Sequence, residues 1–343
     1  MSEADGLRLH LGGPHGPPRH LRNLLRQKID AVPAGGEIVW ATYYFRDRDL
    51  AQALLDAHRR GVRVILHIEG RPRRVSVNMH VIKMLRELGS GLHIHAPRLE
   101  TLSGVHPHLH SKIYYFSHPA PSVLVGSFNP SGDVPEDSAV IAEIGDQDRG
   151  HNLLVELFDP AMVNALRQHV EGLDRPLLRL RADQNRLVSS GRTSAWFYPR
   201  LRPAIIDRHL ATVSQGARIE GAISHLKKGF LVDGLIAAAR RGVDVRILVH
   251  DTERRVPGAT VAALAGAGIE IARYVHPERL PLHAKFLLID EARGKTAYFG
   301  SFNYNPRSRY LNHEILLASR DPALHQALSD YFGRIRDEGS ALD

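Results

Sequence analysis

The segment at residues 283–290 reads His-Ala-Lys-Phe-Leu-Leu-Ile-Asp. Its apolar stretch, residues 286–289, predicts a short buried strand. His283 and Lys285 are two residues apart, so they face the same side of that strand, because successive side chains alternate between the two faces. The segment therefore places one imidazole and one ammonium group on a single surface.

Residues 300–303, which begin ten residues after this segment ends, read Gly-Ser-Phe-Asn. Residues 296–299 predict the next strand, which delivers Ser301 and Asn303 at a tight turn beside the surface that carries the histidine and the lysine. An imidazole, a cation and two neutral hydrogen-bonding side chains at one place are what a phosphoryl group requires. The sequence thus predicts a phosphate site.

The same two motifs occur in the first half of the chain. Residues 110–112 read His-Ser-Lys, and residues 126–129 read Gly-Ser-Phe-Asn. The histidine precedes the glycine by 16 residues here (110 to 126) and by 17 residues in the other copy (283 to 300). The copies differ at the acid, because Ser117 follows the first lysine by five residues, where the second copy has Asp290. The chain is therefore predicted to contain two copies of one unit.

The elements around the motifs repeat as well. Residues 57–64 (Ala-His-Arg-Arg-Gly-Val-Arg-Val) match residues 238–245 (Ala-Ala-Arg-Arg-Gly-Val-Asp-Val), and each segment ends a helix and begins a strand. The pattern of the first half alternates helices with strands, at residues 21–31, 37–45, 49–60, 62–68, 78–88 and 92–95. We expect an α/β protein with a two-lobed tandem repeat, each lobe a mixed β-sheet flanked by α-helices.

The composition indicates where the two units meet. Residues 175–193 are rich in Arg and contain a Ser-Ser-Gly stretch, which is typical of a linker. Residues 1–20 are polar and rich in Gly and Pro. We predict a loose N-terminal segment, a first lobe with the linker, and a second lobe, at residues 1–20, 21–185 and 186–343.

The composition also limits the class of protein. With 343 residues, of which 43% are hydrophobic, the chain is long enough for two ordinary domains. The net charge of +8 favours an anionic partner, such as nucleic acid, an anionic membrane surface or a phosphorylated small molecule. The chain has no Cys, which excludes disulfides and thiol chemistry. The sequence lacks a long apolar run and a signal-peptide core, so we expect a cytoplasmic protein, with peripheral membrane contact as an open alternative.

Two histidines that face one phosphate permit a covalent reaction without a metal or another cofactor. One attacks phosphorus and forms a phosphohistidine, while the other protonates the leaving alcohol and later activates the incoming water or alcohol. The lysines offset the phosphate charge, and the Ser and Asn side chains donate to its non-bridging oxygens. The predicted catalytic residues are His110, Lys112, His283, Lys285, Asp290 and Glu314. The predicted phosphate-binding residues are Ser127, Asn129, Ser301 and Asn303.

The two copies also differ in the group that supports the histidine. Aligning them by Asp159 and Asp321, which precede the last predicted helix of each copy, pairs Asn152 with Glu314. A carboxylate can accept the Nδ1 proton of the histidine in its own copy and raise its basicity. We therefore expect Glu314 to make His283 the stronger base, and the amide of Asn152 to orient its histidine without a charge.

The paired His-x-Lys and Gly-Ser-x-Asn runs resemble the phospholipase D superfamily, over nearly the whole chain after the N-terminal segment. The resemblance implies two lobes, a site at their interface that one chain completes, a phosphohistidine intermediate and no metal. It also implies that His110 is the nucleophile and His283 the acid. Residues 300–314 are similar to a run of bacterial cardiolipin synthases, although Asn305 replaces the usual Asp. This favours a phosphodiesterase or phosphatidyltransferase that acts on phospholipid.

Three alternatives stay open. A nuclease of the same superfamily fits the net charge and the Arg-rich residues 71–74 and 175–186, although solvated loops are the favoured interpretation of those stretches. A pair of lobes that binds without catalysis is the second. The third is a metal site at residues 106–110, which contain three histidines. His93 and His95 alternate on a predicted strand, and we expect them to be packed or surface residues.

Overall fold

The structure is a computed structural model that describes residues 6–74, 76–96, 107–131, 141, 145–174, 187–200 and 205–340. The predicted lobe boundary and residues 175–186 of the predicted linker therefore lie outside the described residues. Within the described residues, no helix has the length and apolarity needed to span a membrane.

The first lobe is a mixed sheet with the strand order β1-β7-β6-β5-β2-β3-β4. Its strands are β1 (Leu7–Gly12), β2 (Glu37–Thr42), β3 (Arg63–Glu69), β4 (Leu92–His95), β5 (Ile113–Phe116), β6 (Ser122–Gly126) and β7 (Asn152–Leu157). Strands β2, β3 and β4 are parallel, and the other neighbours are antiparallel. Its helices are α1 (His20–Asp30), α2 (Arg48–Arg59), α3 (Ser76–Leu85) and α4 (Pro160–Glu171), with 3-10 turns at Arg86–Gly91 and Gly172–Asp174.

The second lobe repeats this arrangement with the strand order β12-β11-β10-β13-β14-β15-β9-β8. Its strands are β8 (Val188–Ser190), β9 (Thr193–Tyr198), β10 (Arg218–Ile223), β11 (Asp244–His250), β12 (Glu270–Tyr274), β13 (Lys285–Glu291), β14 (Gly294–Gly300) and β15 (Glu314–Ser319). Its helices are α5 (Ile205–Thr212), α6 (Phe230–Arg240), α7 (Gly258–Ala265), α8 (Pro306–Tyr310) and α9 (Pro322–Ser340). The predicted fold class, two mixed sheets flanked by helices, is confirmed.

The N-terminal segment differs from the prediction. Residues 7–12, expected to be loose, form β1, which pairs antiparallel with β7 along its whole length. The physical reason is the alternation of Leu7, Leu9 and Leu11, which pack against the shared core on one face of the strand. Strand β1 corresponds to β9, which pairs in the same way with β15, so the repeat includes this strand as well, although β8 lies beyond β9 in the second sheet.

The two lobes pack against each other through one hydrophobic core. The core joins apolar side chains from strands β2, β5, β6 and β7 with those from β9, β13, β14 and β15, and helices α4 and α9 contribute to it. On the outer faces, α1 to α3 cover the first sheet and α5 to α7 cover the second. The interface between the lobes is therefore a buried apolar layer, and a site at its edge has a rigid support.

Helices α4 and α9 begin in the same way in the two lobes. The side chain of Asp159 accepts a hydrogen bond from the Met162 backbone N–H at 2.8 Å, and Asp321 accepts one from Leu324 at 2.7 Å. Such N-caps stabilise a helix by about 1 kcal/mol. The prediction that these aspartates precede the last helix of each unit is confirmed.

Candidate active site

The two His-x-Lys segments meet where the lobes join. His110 and His283 both line a cavity of about 880 Å³. The backbone N–H of His110 donates to the carbonyl of His313 at 2.9 Å, and the N–H of His283 donates to the carbonyl of His151 at 2.9 Å. Each catalytic segment is thus bound to the start of the last strand of the opposite lobe.

This crossing reverses the predicted support of the histidines. His110 Nδ1 lies 2.8 Å from Glu314 Oε2, and His283 Nδ1 lies 2.9 Å from Asn152 Oδ1. The expectation that Glu314 supports His283 is therefore wrong. The reason is that Glu314 directly follows His313 and Asn152 directly follows His151, so each supporting group lies beside the histidine of the other lobe.

Glu314 is fully buried and accepts hydrogen bonds from two serines. Ser301 Oγ donates to its Oε2 and Ser308 Oγ to its Oε1, both at 2.6 Å. Burial raises the pKa of Glu314, but the neighbouring His110, the hydrogen bond to it and the Lys112 ammonium outweigh burial and hold the pKa below its usual value. The carboxylate is therefore a fixed negative charge behind His110.

Asn152 has the matching position behind His283. Its Oδ1 accepts from Ser127 Oγ at 3.0 Å as well as from the imidazole, and its Nδ2 donates to the Gln147 carbonyl at 2.8 Å. These partners fix the orientation of the amide, because its oxygen must be the atom that faces the histidine. The His283 side is thus oriented without a charge, as the sequence indicated for an amide.

The two motif serines are buried and are not among the residues that line the cavity. Besides their bonds to Asn152 and Glu314, Ser127 Oγ accepts from the Leu153 N–H and Ser301 Oγ from the Ile315 N–H, each at 3.1 Å. The prediction that they bind the phosphate is therefore wrong, since both hydroxyls already form hydrogen bonds with the groups that support the histidines. Glycine precedes each serine because a Cβ at residue 126 or 300 collides with the carbonyl of the neighbouring strand.

The two motif lysines are buried beneath the histidines. Lys112 Nζ donates to the His110 carbonyl at 2.7 Å, and Lys285 Nζ donates to the His283 carbonyl at 2.8 Å. Lys285 Nζ also lies 3.1 Å from His283 Nε2. Burial lowers the pKa of Lys112 to about 7, against the opposing charge of Glu314. Burial, followed by the charges of Lys112 and Arg255, lowers the pKa of Lys285 well below its usual value.

Both histidines are neutral at neutral pH in the free protein. Burial lowers the pKa of His110 to about 4, with Glu314 opposing this shift and Lys112 adding to it. Burial, Lys285 and Arg255 lower the pKa of His283 well below its usual value. Because Nδ1 of each ring faces its supporting oxygen, Nδ1 carries the proton and Nε2 carries the lone pair. The Nε2 atoms are the reactive positions.

The two motif asparagines line the cavity together with the histidines. Asn129 Nδ2 donates to Gln147 Oε1 at 2.7 Å, and its Oδ1 accepts from the Tyr44 N–H at 3.3 Å. The Oδ1 atom of Asn303 is buried and has no hydrogen-bond partner among the described residues. Both amides lie where they can contact a bound phosphate, and that role stays a prediction.

Asp290 lies outside the site, contrary to the prediction. It occupies the far end of β13, where its side chain is 43% exposed and forms an ion pair with Lys295 at 3.1 Å. Five residues of strand place it about 16 Å along the chain from Lys285. The acid of the His-x-Lys-x4-Asp run is thus a surface residue, and Glu314 is the carboxylate of the site.

Several residues at the mouth of the cavity were not predicted from the sequence. His225 and Arg255 follow the ends of the parallel strands β10 and β11, where α/β proteins place functional side chains, and this position was the available signal. Burial lowers the pKa of Arg255 to about 9. His108 also lines the cavity, whereas His106 lies outside the described residues. The basic residues around the mouth are Arg71, Arg73, Lys227, Arg254, Arg255 and Arg307.

Fold and site together define a two-lobed α/β protein in which each lobe contributes one His-x-Lys segment to a shared phosphate-type site. The chain belongs to the phospholipase D-like family described as "Cardiolipin synthase, PLD-like domain", which matches residues 26–134 and 211–336. The predicted superfamily is therefore confirmed.

One curated relative and two solved structures are similar to this chain, the structures in fold. Cardiolipin synthase B of Salmonella typhi is 33% identical over 36% of this chain and 31% of its own length, so the match spans about a third of that relative. The fold is similar to phosphatidylserine synthase of Haemophilus influenzae Rd KW20, with a TM-score of 0.71 and 12% identity over 98% of this chain and 87% of that chain. Polyphosphate kinase of Porphyromonas gingivalis aligns with a TM-score of 0.60 and 14% identity, over 96% and 50% of the two chains.

Proposed function

We propose that the chain is a phospholipase D-like phosphodiesterase or phosphatidyltransferase that acts on phospholipid head groups through a phosphohistidine at His110. The observation that carries this proposal is the pair formed across the lobes by His110 Nδ1 and Glu314 Oε2 at 2.8 Å. The names of the relatives, cardiolipin synthase and phosphatidylserine synthase, support phospholipid as the substrate class.

His110 suits the nucleophile because its supporting group is charged. When Nε2 attacks phosphorus, the P–N bond forms, the P–O bond to the leaving alcohol breaks, and the ring acquires positive charge while Nδ1 keeps its proton. Glu314 lies at hydrogen-bond distance from that Nδ1 and stabilises the charge as it develops. The neutral amide of Asn152 cannot offset positive charge on the His283 ring in this way.

His283 suits the general acid and base. Its Nδ1 proton stays on the Asn152 side, so Nε2 is the atom that gives a proton to the leaving alcohol and takes one from the incoming water or alcohol. Neighbouring cations lower its pKa in the free protein. A bound phosphate brings negative charge into the same space and raises that pKa, so His283 becomes protonated when substrate binds.

The buried ammonium groups and the cavity amides supply the remaining stabilisation of the transition state. Lys112 and Lys285 donate to the backbone carbonyls of His110 and His283, and Asn129 and Asn303 line the cavity. Charges and donors held in a buried site act strongly on the pentacoordinate transition state, and a single donor of this kind contributes about 10²–10³ in rate. This mechanism uses no metal or other cofactor at the two-histidine centre.

A nuclease is the second candidate, and the basic mouth of the cavity favours it. Arginines from both lobes, among them Arg73 and Arg255, surround the entrance as a nucleic-acid backbone requires. The same charges suit an anionic membrane surface. Tyr310 and Leu311, which are 44% and 36% exposed, lie close in sequence to the mouth residue Arg307 and provide apolar contacts for lipid.

One assay separates the two candidates. The purified chain is incubated side by side with phosphatidylglycerol vesicles, with and without an added primary alcohol, and with single- and double-stranded DNA. We expect release or exchange of the head-group alcohol, absent in His110→Asn, and an acid-labile phosphoryl adduct on the wild-type protein. Salt-sensitive DNA cleavage without lipid turnover establishes the nuclease instead, and turnover of neither substrate supports the non-catalytic alternative.

A further inference from the structure

Imidazoles and a carboxylate cluster at the outer edge of the first lobe, on β3, β4 and the turn that follows α4. His67 on β3 is paired in register with His93 on β4, and their rings stack at 4.4 Å with an angle of 6°. His95, two residues further along β4, faces the same side of the sheet. Asp174 is the last residue of the 3-10 turn Gly172–Asp174 and lies against these rings.

Three atoms of this cluster are arranged as ligands of one ion. His67 Nδ1 lies 2.9 Å from His95 Nε2, and Asp174 Oδ1 lies 3.6 Å from the first nitrogen and 3.9 Å from the second. A tetrahedral ion with bonds of about 2.0–2.1 Å to nitrogen and oxygen separates its ligand atoms by about 3.4 Å. The three measured separations scatter around that value.

Asp174 is held at one oxygen by His93 and presents the other oxygen to His67 and His95. The two ring nitrogens are close enough to share one hydrogen bond, but Asp174 Oδ1 is beyond hydrogen-bond distance of both of them. Asp174 Oδ1 is almost equally far from the two nitrogens, which is the position expected of a third ligand to an ion bound between them. The side chain of His67 is 0% exposed, that of His95 16% and that of Asp174 48%, so the cluster is buried on one side and open on the other.

We propose that His67, His95 and Asp174 bind a Zn²⁺ ion, with solvent as the fourth ligand on the open side. Two imidazoles and a carboxylate are a donor set that Zn²⁺ accepts in tetrahedral geometry. The ion joins the edge strand β4 to the turn after α4, so its role is to stabilise that edge of the lobe. None of the three residues lines the two-histidine cavity, so this inference does not rest on the proposed function.

His93 acts as a positioning residue for this site. Its Nδ1 contacts the second oxygen of Asp174, Oδ2, while its ring stacks on His67. Groups behind the ligands of a metal orient them, and their loss weakens metal affinity by about 10–100-fold. A depression of about 620 Å³ beside the cluster, lined by His58, His67 and His93, gives an ion access from solvent.

The test uses the full chain, stripped with chelator and dialysed, and titrated with Zn²⁺ by calorimetry and with Co²⁺ by visible absorption. We expect one ion per chain, the intense visible bands of tetrahedral Co²⁺, and a Zn²⁺-dependent rise in the unfolding temperature. His95→Gln and Asp174→Asn should each weaken binding by more than about tenfold, and His93→Phe, which keeps the stacked ring, by about 10–100-fold. His58→Gln, beside the same depression but outside the ligand set, should bind like the wild type.

Two results overturn the proposal. One is the absence of stoichiometric binding by the wild-type chain. The other is wild-type affinity in both His95→Gln and Asp174→Asn, which places any bound ion elsewhere. Asp174 is half exposed, so Asp174→Asn keeps the test valid if the more buried His95→Gln variant fails to fold.

Discussion

His110 of the first lobe and Glu314 of the second lobe form one hydrogen-bonded pair, with 2.8 Å between Nδ1 and Oε2 across 204 positions of sequence. The matching contact of His283 is with the neutral amide of Asn152. Neither lobe therefore contains a histidine together with its own supporting group. The site depends on the interface between the lobes, and the two histidines differ in charge support even though their motifs are alike.

We predict that His110→Asn and His283→Asn each reduce phosphodiester turnover to below about a thousandth of the wild-type rate. Asn preserves a polar side chain of moderate size but removes the nucleophile or the proton carrier. The measurement is kcat/KM on the substrate identified above, with far-UV circular dichroism as the control for folding. Residual activity above that level in either folded variant contradicts a mechanism with two essential histidines.

Glu314→Gln should lower kcat by about 10²–10⁴-fold, because the positive charge on phosphorylated His110 loses its compensating carboxylate. The matched variant is Asn152→Asp, which adds a charge behind His283 and should change kcat by less than about tenfold. Mass spectrometry of the trapped adduct should locate the phosphoryl group on His110 in both proteins. A severe loss in Asn152→Asp with a mild one in Glu314→Gln assigns the nucleophile to His283 instead.

The repeat was predictable because local sequence patterns are sufficient to detect it. Apolar strands, glycine-ended helices and two motifs at nearly equal spacing were enough to predict two lobes of one α/β unit. The helix starts at Asp159 and Asp321 were predictable because the same Asp-Pro-Ala sequence occurs at the start of the last helix of each copy, and Asp is a favoured N-cap residue. Strand β1 was missed because the prediction rested on the Gly- and Pro-rich composition of residues 1–20. The alternation of Leu7, Leu9 and Leu11, which indicates a strand, was not used.

The partners of the histidines could not be predicted in the same way. Aligning the two copies pairs Asn152 with Glu314 as equivalent residues, but equivalence says nothing about which lobe each side chain faces. That depends on His110 binding the His313 carbonyl and His283 binding the His151 carbonyl, which are tertiary contacts. The serines were misassigned for the same reason, since their acceptors come from the next strand of the sheet.

Asp290→Asn should leave kcat/KM within about twofold of the wild type, although Asp290 completes the second sequence motif. The side chain is half exposed at the far end of β13, and its ion pair with Lys295 is a surface pair. Such pairs contribute about 0–1 kcal/mol, so the unfolding temperature should also change little. The steady-state assay that detects the loss in Glu314→Gln is the measurement, and a comparable loss in Asp290→Asn contradicts the assignment of Glu314 as the carboxylate of the site.

The pH dependence of kcat/KM should be bell-shaped, with an acid limb near pH 4 from His110 and an alkaline limb below the usual imidazole range from His283. Neutral His110 is the reactive form, so activity is lost as the pH falls through its pKa of about 4. Protonated His283 is the form that gives a proton to the leaving alcohol, so activity is lost as the pH rises through its pKa, which burial and neighbouring cations hold well below the usual value. These limbs report the free protein. The kcat profile should extend to higher pH, because bound phosphate favours protonated His283. Unfolding measured at both pH extremes controls for loss of structure, and an acid limb near 6.5 in folded protein contradicts the buried, neutral state of His110.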